Sequence, residues 1–242
     1  MSRTNTIKLY EGPSQWDGLT TIIVLLTGLA KSSKNTKTGD MLQTWVLLKD
    51  TPPHEAVKTG ADEAICGLCP LRPTLFRRIL GAITKFFRLL KPCYVKTFQA
   101  PLSTWKANKD LPVTPPDIAR ALIGSRVVRR GSYGDPAMVP THVWDNLRDS
   151  PGTGYSHQWK RFPHFAPFVM ASVHTETERS EARALGFRTF RILSSVDDLG
   201  LGEILCPASK EAGARVQCAD CNLCNGSKGT HEFRKDIAIV AH

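Results

Sequence analysis

Four of the seven cysteines in this chain have a spacing that is typical of a metal centre. The segment "QCADCNLCNGSKGTH" contains Cys218, Cys221 and Cys224 as C-x2-C-x2-C, and Cys206 precedes it in "ILCPAS". Four ligands complete a tetrahedral site, so Cys206 is the first candidate for the fourth position and His231 the second. The same spacing begins ferredoxin-type runs that hold a [4Fe–4S] cluster. These four cysteines, the second cysteine set, therefore predict a centre for zinc or an iron–sulfur cluster.

The other three cysteines form a looser group, the first cysteine set. Cys66 and Cys69 make the C-x2-C of "ICGLCP", and Cys93 follows in "KPCYV". With three cysteines, the site is either completed by a histidine such as His54 or left with an open position. A closed site is typical of a structural metal, and an open one of a catalytic metal.

A basic, amphipathic segment separates Cys69 from Cys93. The stretch "RPTLFRRILGAITKFFRLLKP" contains no acidic residue, and its apolar residues recur at helical spacing. It predicts a helix over about 71–91 that could lie along a phosphate backbone, on a membrane surface or against a partner, or could simply be a surface helix. The cations considered as nucleic-acid contacts are Arg77, Arg78, Lys85, Arg88 and Lys91 here, and Arg129 and Arg130 further on.

The overall charge agrees with an anionic partner. The 242 residues have a formal net charge of +10, which favours nucleic acid or another polyanion, although it also suits a merely basic protein. The apolar run 20–30 is too short to span a bilayer, and the N-terminal residues do not resemble a signal peptide. We therefore expect a cytoplasmic protein, in which clustered cysteines are metal ligands rather than disulfides.

The elements that must position these residues alternate between strands and helices. Apolar runs predict strands at 20–26, 42–48, 126–132, 154–159, 168–172, 188–193, 203–206 and 237–241. Helical patterns at 113–124, 140–150 and 175–186 lie between several of them. This alternation predicts an α/β fold with parallel strands, a complete or partial TIM-like barrel, over 1–205. A cysteine-rich metal-binding segment and a final strand follow over 206–242.

Polar residues follow several of the predicted strands. Asp135 comes after the strand 126–132, and His157 and Gln158 lie at the end of the next strand. The carboxyl ends of parallel strands meet at one edge of a sheet, so these three residues are the catalytic candidates. Strand ends are also commonly polar loops, which weakens the case for any single residue.

Several motifs resemble a family of uncharacterised cysteine-rich proteins that bacterial phages, prophages and plasmids encode. They are "GADEAICGLCPLRP", "CYV", "GSYGDPAMVP", "TGYSHQW", "GFRTFRI", "CPASKEAG" and "CADCNLCNG". The resemblance covers about residues 35–242 and implies a phage or mobile-element context, inside a bacterial host cell. Relative to that family, this chain carries an additional basic helix between Cys69 and Cys93.

The chain is also similar, more remotely, to radical S-adenosylmethionine enzymes. The first cysteine set follows a predicted strand, and Tyr133-Gly134-Asp135 ends the next one. The resemblance implies that the first set holds a [4Fe–4S] cluster with S-adenosylmethionine on its open iron. Tyr133, Gly134 and Asp135 would contact that cofactor, and Trp159 or Tyr133 would stack on a base. The usual C-x3-C-x2-C spacing of those enzymes is absent.

Three functions are compatible with these residues. The first is an iron–sulfur, radical-SAM-like enzyme acting on a nucleotide or nucleic acid. The second is a non-catalytic nucleic-acid-binding protein with two structural zinc ions, in which basic residues contact phosphate. The third is a transglycosylase-like or nucleosidase-like barrel in which Asp135 is the nucleophile or base and the metal is structural.

Overall fold

The computed structural model describes residues 4–31, 36–72, 93–229 and 232–240. The predicted basic helix, with Arg77, Arg78, Lys85, Arg88 and Lys91, lies almost entirely outside these residues, and so does His231. No helix in the described ranges is long and apolar enough to cross a membrane.

In the described ranges, nine strands form one mixed, mostly parallel sheet in the order β1-β2-β3-β4-β5-β6-β7-β9-β8. The strands are β1 Thr6–Pro13, β2 Thr21–Thr27, β3 Leu42–Leu48, β4 Val128–Tyr133, β5 Gly152–Ser156, β6 Met170–Val173, β7 Thr189–Leu193, β8 Glu203–Leu205 and β9 Asp236–Val240. The α/β class and the parallel strands predicted from the sequence are thus confirmed.

The sheet begins with an antiparallel meander and continues in parallel. β1, β2 and β3 pair antiparallel, whereas β3 through β7 pair parallel in the order in which they occur along the chain. β9 joins parallel to β7 and carries β8 on its outer edge. The ends of the sheet, β1 and β8, do not pair with each other. A closed TIM barrel is therefore not confirmed.

Short helices connect the parallel strands. The α-helices are Pro53–Thr59, Glu63–Cys66, Ala100–Asn108, Pro116–Ile123, Thr141–Asp145, Glu176–Ala184 and Cys218–Cys221. The best defined start is that of Glu176–Ala184, where Thr175 and Glu178 form a reciprocal capping box. Among the described residues between β5 and β6 there is only a 3-10 turn, Pro163–Phe165, so the regular strand–helix repeat of a TIM barrel is incomplete.

The sheet packs differently on its two faces. On one face, Val46, Val128 and Val173 join the connecting helices in the larger core. On the other face, Met170 and Ile237 pack against Cys206 and Cys224 of the second cysteine set. The cysteine-rich segment therefore covers part of one face of the sheet, and β9 from the same segment lies within the sheet.

Candidate metal centres and the adjoining cleft

The first cysteine set comes together just after β3. Cys66 ends the helix Glu63–Cys66, and the backbone N–H of Cys93 donates to the carbonyl of Leu71 at 2.8 Å. The pKa of the Cys66 thiol is raised by burial first, and further by negative charge on Cys69 and Cys93. The long sequence gap before Cys93 thus does not separate it from the C-x2-C loop. Without residues 73–92, the three cysteines would read C-x2-C-x3-C.

Buried polar contacts fix the loop that carries Cys66 and Cys69. Arg72 donates to both carboxylate oxygens of Asp62, at 3.0 and 2.7 Å, and to the carbonyl of Gly67 at 2.8 Å. From the opposite side, the amide of Gln158 donates to the carbonyl of Cys66 at 3.0 Å and accepts from the N–H of Leu68 at 3.2 Å. Gln158 therefore holds the cysteine loop, and its amide is engaged there rather than by a substrate.

His157 lies directly beside the first cysteine set. Its Nδ1 atom is 3.5 Å from Sγ of Cys69, and its ring stacks on His174 with centroids 5.8 Å apart. Burial, and then the charge of His174, lower the pKa of His157 to about 3, so the ring is neutral near pH 7. Within the described residues, its buried Nε2 atom has no hydrogen-bond partner. His157 is thus the sequence-predicted catalytic residue whose side chain contacts a cysteine sulfur.

Asp135 is buried, and its carboxylate is turned toward the backbone. One oxygen accepts from the N–H of Ala137 at 2.9 Å and the other from the N–H of His157 at 2.8 Å. Burial raises the pKa of Asp135 to about 6 even though these hydrogen bonds lower it. The N–H of Asp135 donates to the carbonyl of Ile65 at 2.7 Å. Asp135 therefore positions His157 and the strand end beside Cys66, and this does not favour it as a nucleophile.

The other residues expected to hold a cofactor are also interior. Tyr133 and Trp159 are 4% and 3% exposed; Trp159 contributes to the lining of the adjoining cleft, but Nζ of Lys160 lies 5.0 Å from its ring centroid. Gly134 has a φ of +77°, and a Cβ atom there would lie 2.7 Å from Cβ and from the carbonyl oxygen of Val46. The Tyr133-Gly134-Asp135 segment is thus a tight turn packed against β3.

The second cysteine set is assembled from β8 and the segment before β9. Cys206 follows β8 directly, and Cys218 and Cys221 begin and end a one-turn helix. Burial raises the pKa of Cys224 to about 12, and negative charge on Cys206, Cys218 and Cys221 raises it too. All four predicted ligands are therefore close enough for their charges to interact. His231, the alternative ligand, belongs to the undescribed part of the chain.

The one-turn helix of the second set also docks on the segment before β3. The N–H groups of Cys218 and Ala219 donate to the carbonyls of Lys37 and Thr38, at 2.9 and 3.2 Å. On the sheet side, the N–H of Gly154 in β5 donates to the carbonyl of Cys224 at 3.2 Å. The second cysteine set therefore links three regions that are distant in the sequence.

Within the part of the chain that the structure describes, neither set is already arranged around a single ion. Among the described His, Cys, Asp and Glu side chains, no three are placed so that they could hold one metal ion. The one close pair is Cys69 with His157, and the thiols of each set interact through their charges.

An open cleft of about 280 Å³ adjoins the first cysteine set. Leu68 and Pro70, on either side of Cys69, form one wall, and the stacked His157 and His174 form another. Trp16 and the cations Lys160 and Arg161 also line the cleft. None of the last three, nor the Arg72–Asp62 clamp, was predicted from the sequence, because their roles depend on contacts between distant segments.

The two arginines predicted from β4 to contact nucleic acid have different surroundings. Arg130 is 5% exposed and donates to the carbonyls of Leu147 and Ser150 at 3.1 and 3.2 Å. This interior position does not favour Arg130 as a phosphate contact. Arg129 is half-buried and donates to the hydroxyl of Tyr94 at 2.8 Å, next to Cys93.

Neither a comparison with known protein families nor searches of curated proteins and solved structures find a match for this chain.

Proposed function

We propose that this protein is an iron–sulfur enzyme of a phage or other mobile element that acts on a nucleotide or nucleic acid. The observation that carries the proposal is the convergence of Cys66, Cys69 and Cys93 after β3, beside His157 and an open cleft. Convergence at the carboxyl side of parallel strands is the usual position of an active site in α/β folds.

The number of cysteines in each set supports an iron–sulfur cluster, since such clusters are held by cysteine thiolates. In a [4Fe–4S] cluster each thiolate binds a different iron. Cys66, Cys69 and Cys93 would hold one cluster, and Cys206, Cys218, Cys221 and Cys224 a second. A cluster of this kind supplies one-electron chemistry when it is bound.

The strand order supports a partial barrel as the fold of this enzyme. β3 through β7 follow one another in sequence order, as strands do in a TIM barrel, whereas a doubly wound sheet reverses its order at a switch point. The cysteine-rich segment then covers one face of an incomplete barrel.

The residues expected to hold S-adenosylmethionine do not fit that role. The carboxylate of Asp135 is occupied by backbone N–H groups, and Tyr133 and Trp159 are buried. We therefore assign no step to this cofactor. The proposed enzyme rests on the cysteine sets and the cleft alone.

Anaerobic purification with iron, sulfide and zinc analysis and a visible spectrum tests the proposal. A brown protein with two clusters, of which Cys93→Ser and Cys221→Ser each remove one, is expected. The two substitutions control for each other, since they affect different sets. A colourless protein with about two zinc ions per chain would contradict the proposal.

One contact favours the alternative of a zinc-stabilised nucleic-acid-binding protein. The 3.5 Å between Sγ of Cys69 and Nδ1 of His157 equals the ligand separation expected when a thiolate and an imidazole share one tetrahedral ion. In that case His157 would close the first site, and a structural zinc would result. Zinc content together with salt-sensitive binding to DNA or RNA would support this alternative.

A further inference from the structure

The cleft beside the first cysteine set combines an apolar wall with cations. Leu68 is 71% exposed although it lies between two cysteines, and Pro70 extends the same wall. Across the cleft, the guanidinium of Arg161 lies 4.0 Å from the ring centroid of Trp16 and donates to its carbonyl at 2.7 Å. An arginine held flat on an aromatic ring presents a planar, charged surface on which a base can stack.

The second cation of the cleft, Lys160, is exposed, and its Nζ atom lies 5.0 Å from the ring centroid of Trp159. The side chain of Lys160 is 61% exposed and pairs at 2.6 Å with Glu181, which is itself 48% exposed. An exposed pair of this kind contributes little to stability and is readily exchanged for another partner. Lys160 can therefore leave Glu181 and bind an anion in the cleft.

The carboxylate among the cleft residues is already engaged. Glu178 accepts from the N–H groups of His174 and Thr175, at 2.7 and 3.3 Å, as part of the capping box of the helix Glu176–Ala184. Its charge is therefore directed at the helix start, where the positive end of the helix dipole stabilises it. Lys160 and Arg161 are the cations that line the cleft, and the carboxylates of Glu178 and Glu181 act on Lys160 from the side of this helix.

We propose that this cleft binds a single nucleotide, with its base against Leu68, Pro70 and the Arg161–Trp16 pair and its phosphate on Lys160 and Arg161. The volume of about 280 Å³ is near the lower limit of small-ligand cavities, which suits one nucleotide rather than a longer strand. The nucleotide is either free or the end of a nucleic-acid strand, since both present the same base and phosphate. This inference names the substrate class of the proposed enzyme and in that sense rests on the proposed function.

Calorimetric titration of the full-length protein with adenosine 5′-monophosphate, adenosine and inorganic phosphate tests the site without requiring activity. Adenosine monophosphate should bind at least tenfold more tightly than either fragment, since both parts of the cleft then contribute. A 5′-phosphorylated dinucleotide that binds as tightly as the monophosphate would assign the site to a strand end, and weaker dinucleotide binding would assign it to the free nucleotide. Adenosine binding as tightly as the monophosphate, or no binding of any probe, would overturn the proposal.

Lys160 and Glu181 provide a matched pair of variants, because each substitution breaks the same ion pair. Lys160→Gln should weaken the binding of the monophosphate about tenfold, whereas Glu181→Gln should leave it unchanged or tighter. Equal weakening by both would mean that only the ion pair matters, and would overturn the role of Lys160. The metal content of the same sample separates the two proposals: nucleotide binding by a zinc protein would retain the site and reject the iron–sulfur enzyme.

Discussion

Sγ of Cys69 and Nδ1 of His157 lie 3.5 Å apart, although the two residues are 88 positions apart in the sequence. Two features fix this contact. The amide of Gln158 holds the cysteine loop, and the carboxylate of Asp135 holds the N–H of His157 at 2.8 Å. Burial raises the pKa of the Cys69 thiol to about 12, so the sulfur is a thiolate only when it binds a metal. The ring is neutral near pH 7 and can donate one hydrogen bond, and in the metal-bound state the Cys69 sulfur would be the acceptor within reach.

From this contact, we expect His157→Phe to keep the metal of the first cysteine set and to change its electronic properties. Hydrogen bonds to the sulfur ligands of a cluster raise its reduction potential, so their loss should lower the potential by on the order of tens of millivolts. Redox titration followed by electron paramagnetic resonance measures the shift.

His164→Phe is the control for this substitution, since His164 is exposed and packs on Phe165 rather than on a cysteine. It should leave the potential unchanged. A folded His157→Phe protein that has lost the metal of the first set would show instead that His157 is a ligand, which would favour the zinc-stabilised alternative.

A metal at the second cysteine set should protect the amides of Cys218 and Ala219, which contact the segment before β3, from exchange with solvent. Cys218 and Ala219 donate to the carbonyls of Lys37 and Thr38, and a metal at the second set would fix the helix that carries both donors. We expect Cys221→Ser to remove this metal and to accelerate hydrogen–deuterium exchange at the two donor amides. Mass spectrometry of the peptide 217–223 measures the change.

Cys93→Ser, in the first set, is the matched control for that experiment. It should remove a metal without altering exchange in the peptide 217–223. Faster exchange there in both variants would indicate that the two sets form one cooperative unit and would contradict independent centres.

The sequence predicts the parallel part of the sheet well because the strands are apolar runs bounded by glycine, proline or polar residues. All eight predicted strands correspond to observed ones. β1 was missed, since "TIKLYEGP" contains glycine, proline and charged residues and lacks a regular alternation. As an edge strand it buries few side chains, and its contacts are with distant segments: β2 along its length and Val113 and Thr114 at Lys8.

The candidate site is less predictable, because it depends on contacts between distant segments. Spacing alone grouped the seven cysteines into two sets, but it does not reveal that the N–H of Cys93 meets the carbonyl of Leu71. The position of Asp135 at a strand end also predicts a carboxylate available for catalysis or cofactor binding. In the structure that carboxylate accepts hydrogen bonds from two backbone N–H groups. A strand-end carboxylate that caps the following turn has the same sequence signature as a catalytic one.

The turn after β4 should require glycine at position 134, because the turn packs closely against β3. The φ of +77° at Gly134 and the 2.7 Å separation of a Cβ from the Val46 backbone both disfavour alanine. We expect Gly134→Ala to lower the free energy of unfolding by about 2–4 kcal/mol, from backbone strain and overpacking together. Urea denaturation measures this change.

Gly60 allows the two causes to be separated. Its φ is +85°, but a Cβ there would meet nothing within 4 Å, so Gly60→Ala should cost only the backbone strain, about 1 kcal/mol. If Gly134→Ala and Gly60→Ala lower the free energy of unfolding equally, the close approach of the Cβ atom to Val46 adds nothing to the cost of Gly134→Ala.

Asp236 and Glu176 both pair with Arg179, and the buried Asp236 should stabilise the fold more than the exposed Glu176. Its fully buried carboxylate accepts from Arg179 at 3.1 Å, from Arg183 at 2.7 Å and from the N–H of Thr189 at 2.9 Å. Asp236→Asn removes the charge and leaves buried donors without a full set of acceptors. We expect a loss of about 3 kcal/mol in the free energy of unfolding.

Glu176 is the matched comparison, because it also pairs with Arg179, at 2.7 Å, but its side chain is 56% exposed. Glu176→Gln should cost less than about 1 kcal/mol, since solvent screens an exposed pair and replaces its hydrogen bond. Raising the salt concentration should reduce the cost of Glu176→Gln further and leave that of Asp236→Asn nearly unchanged, because ions do not screen a buried pair effectively. Urea denaturation of both variants at low and high salt measures these differences, and similar costs with similar salt dependence would contradict the distinction between the two carboxylates.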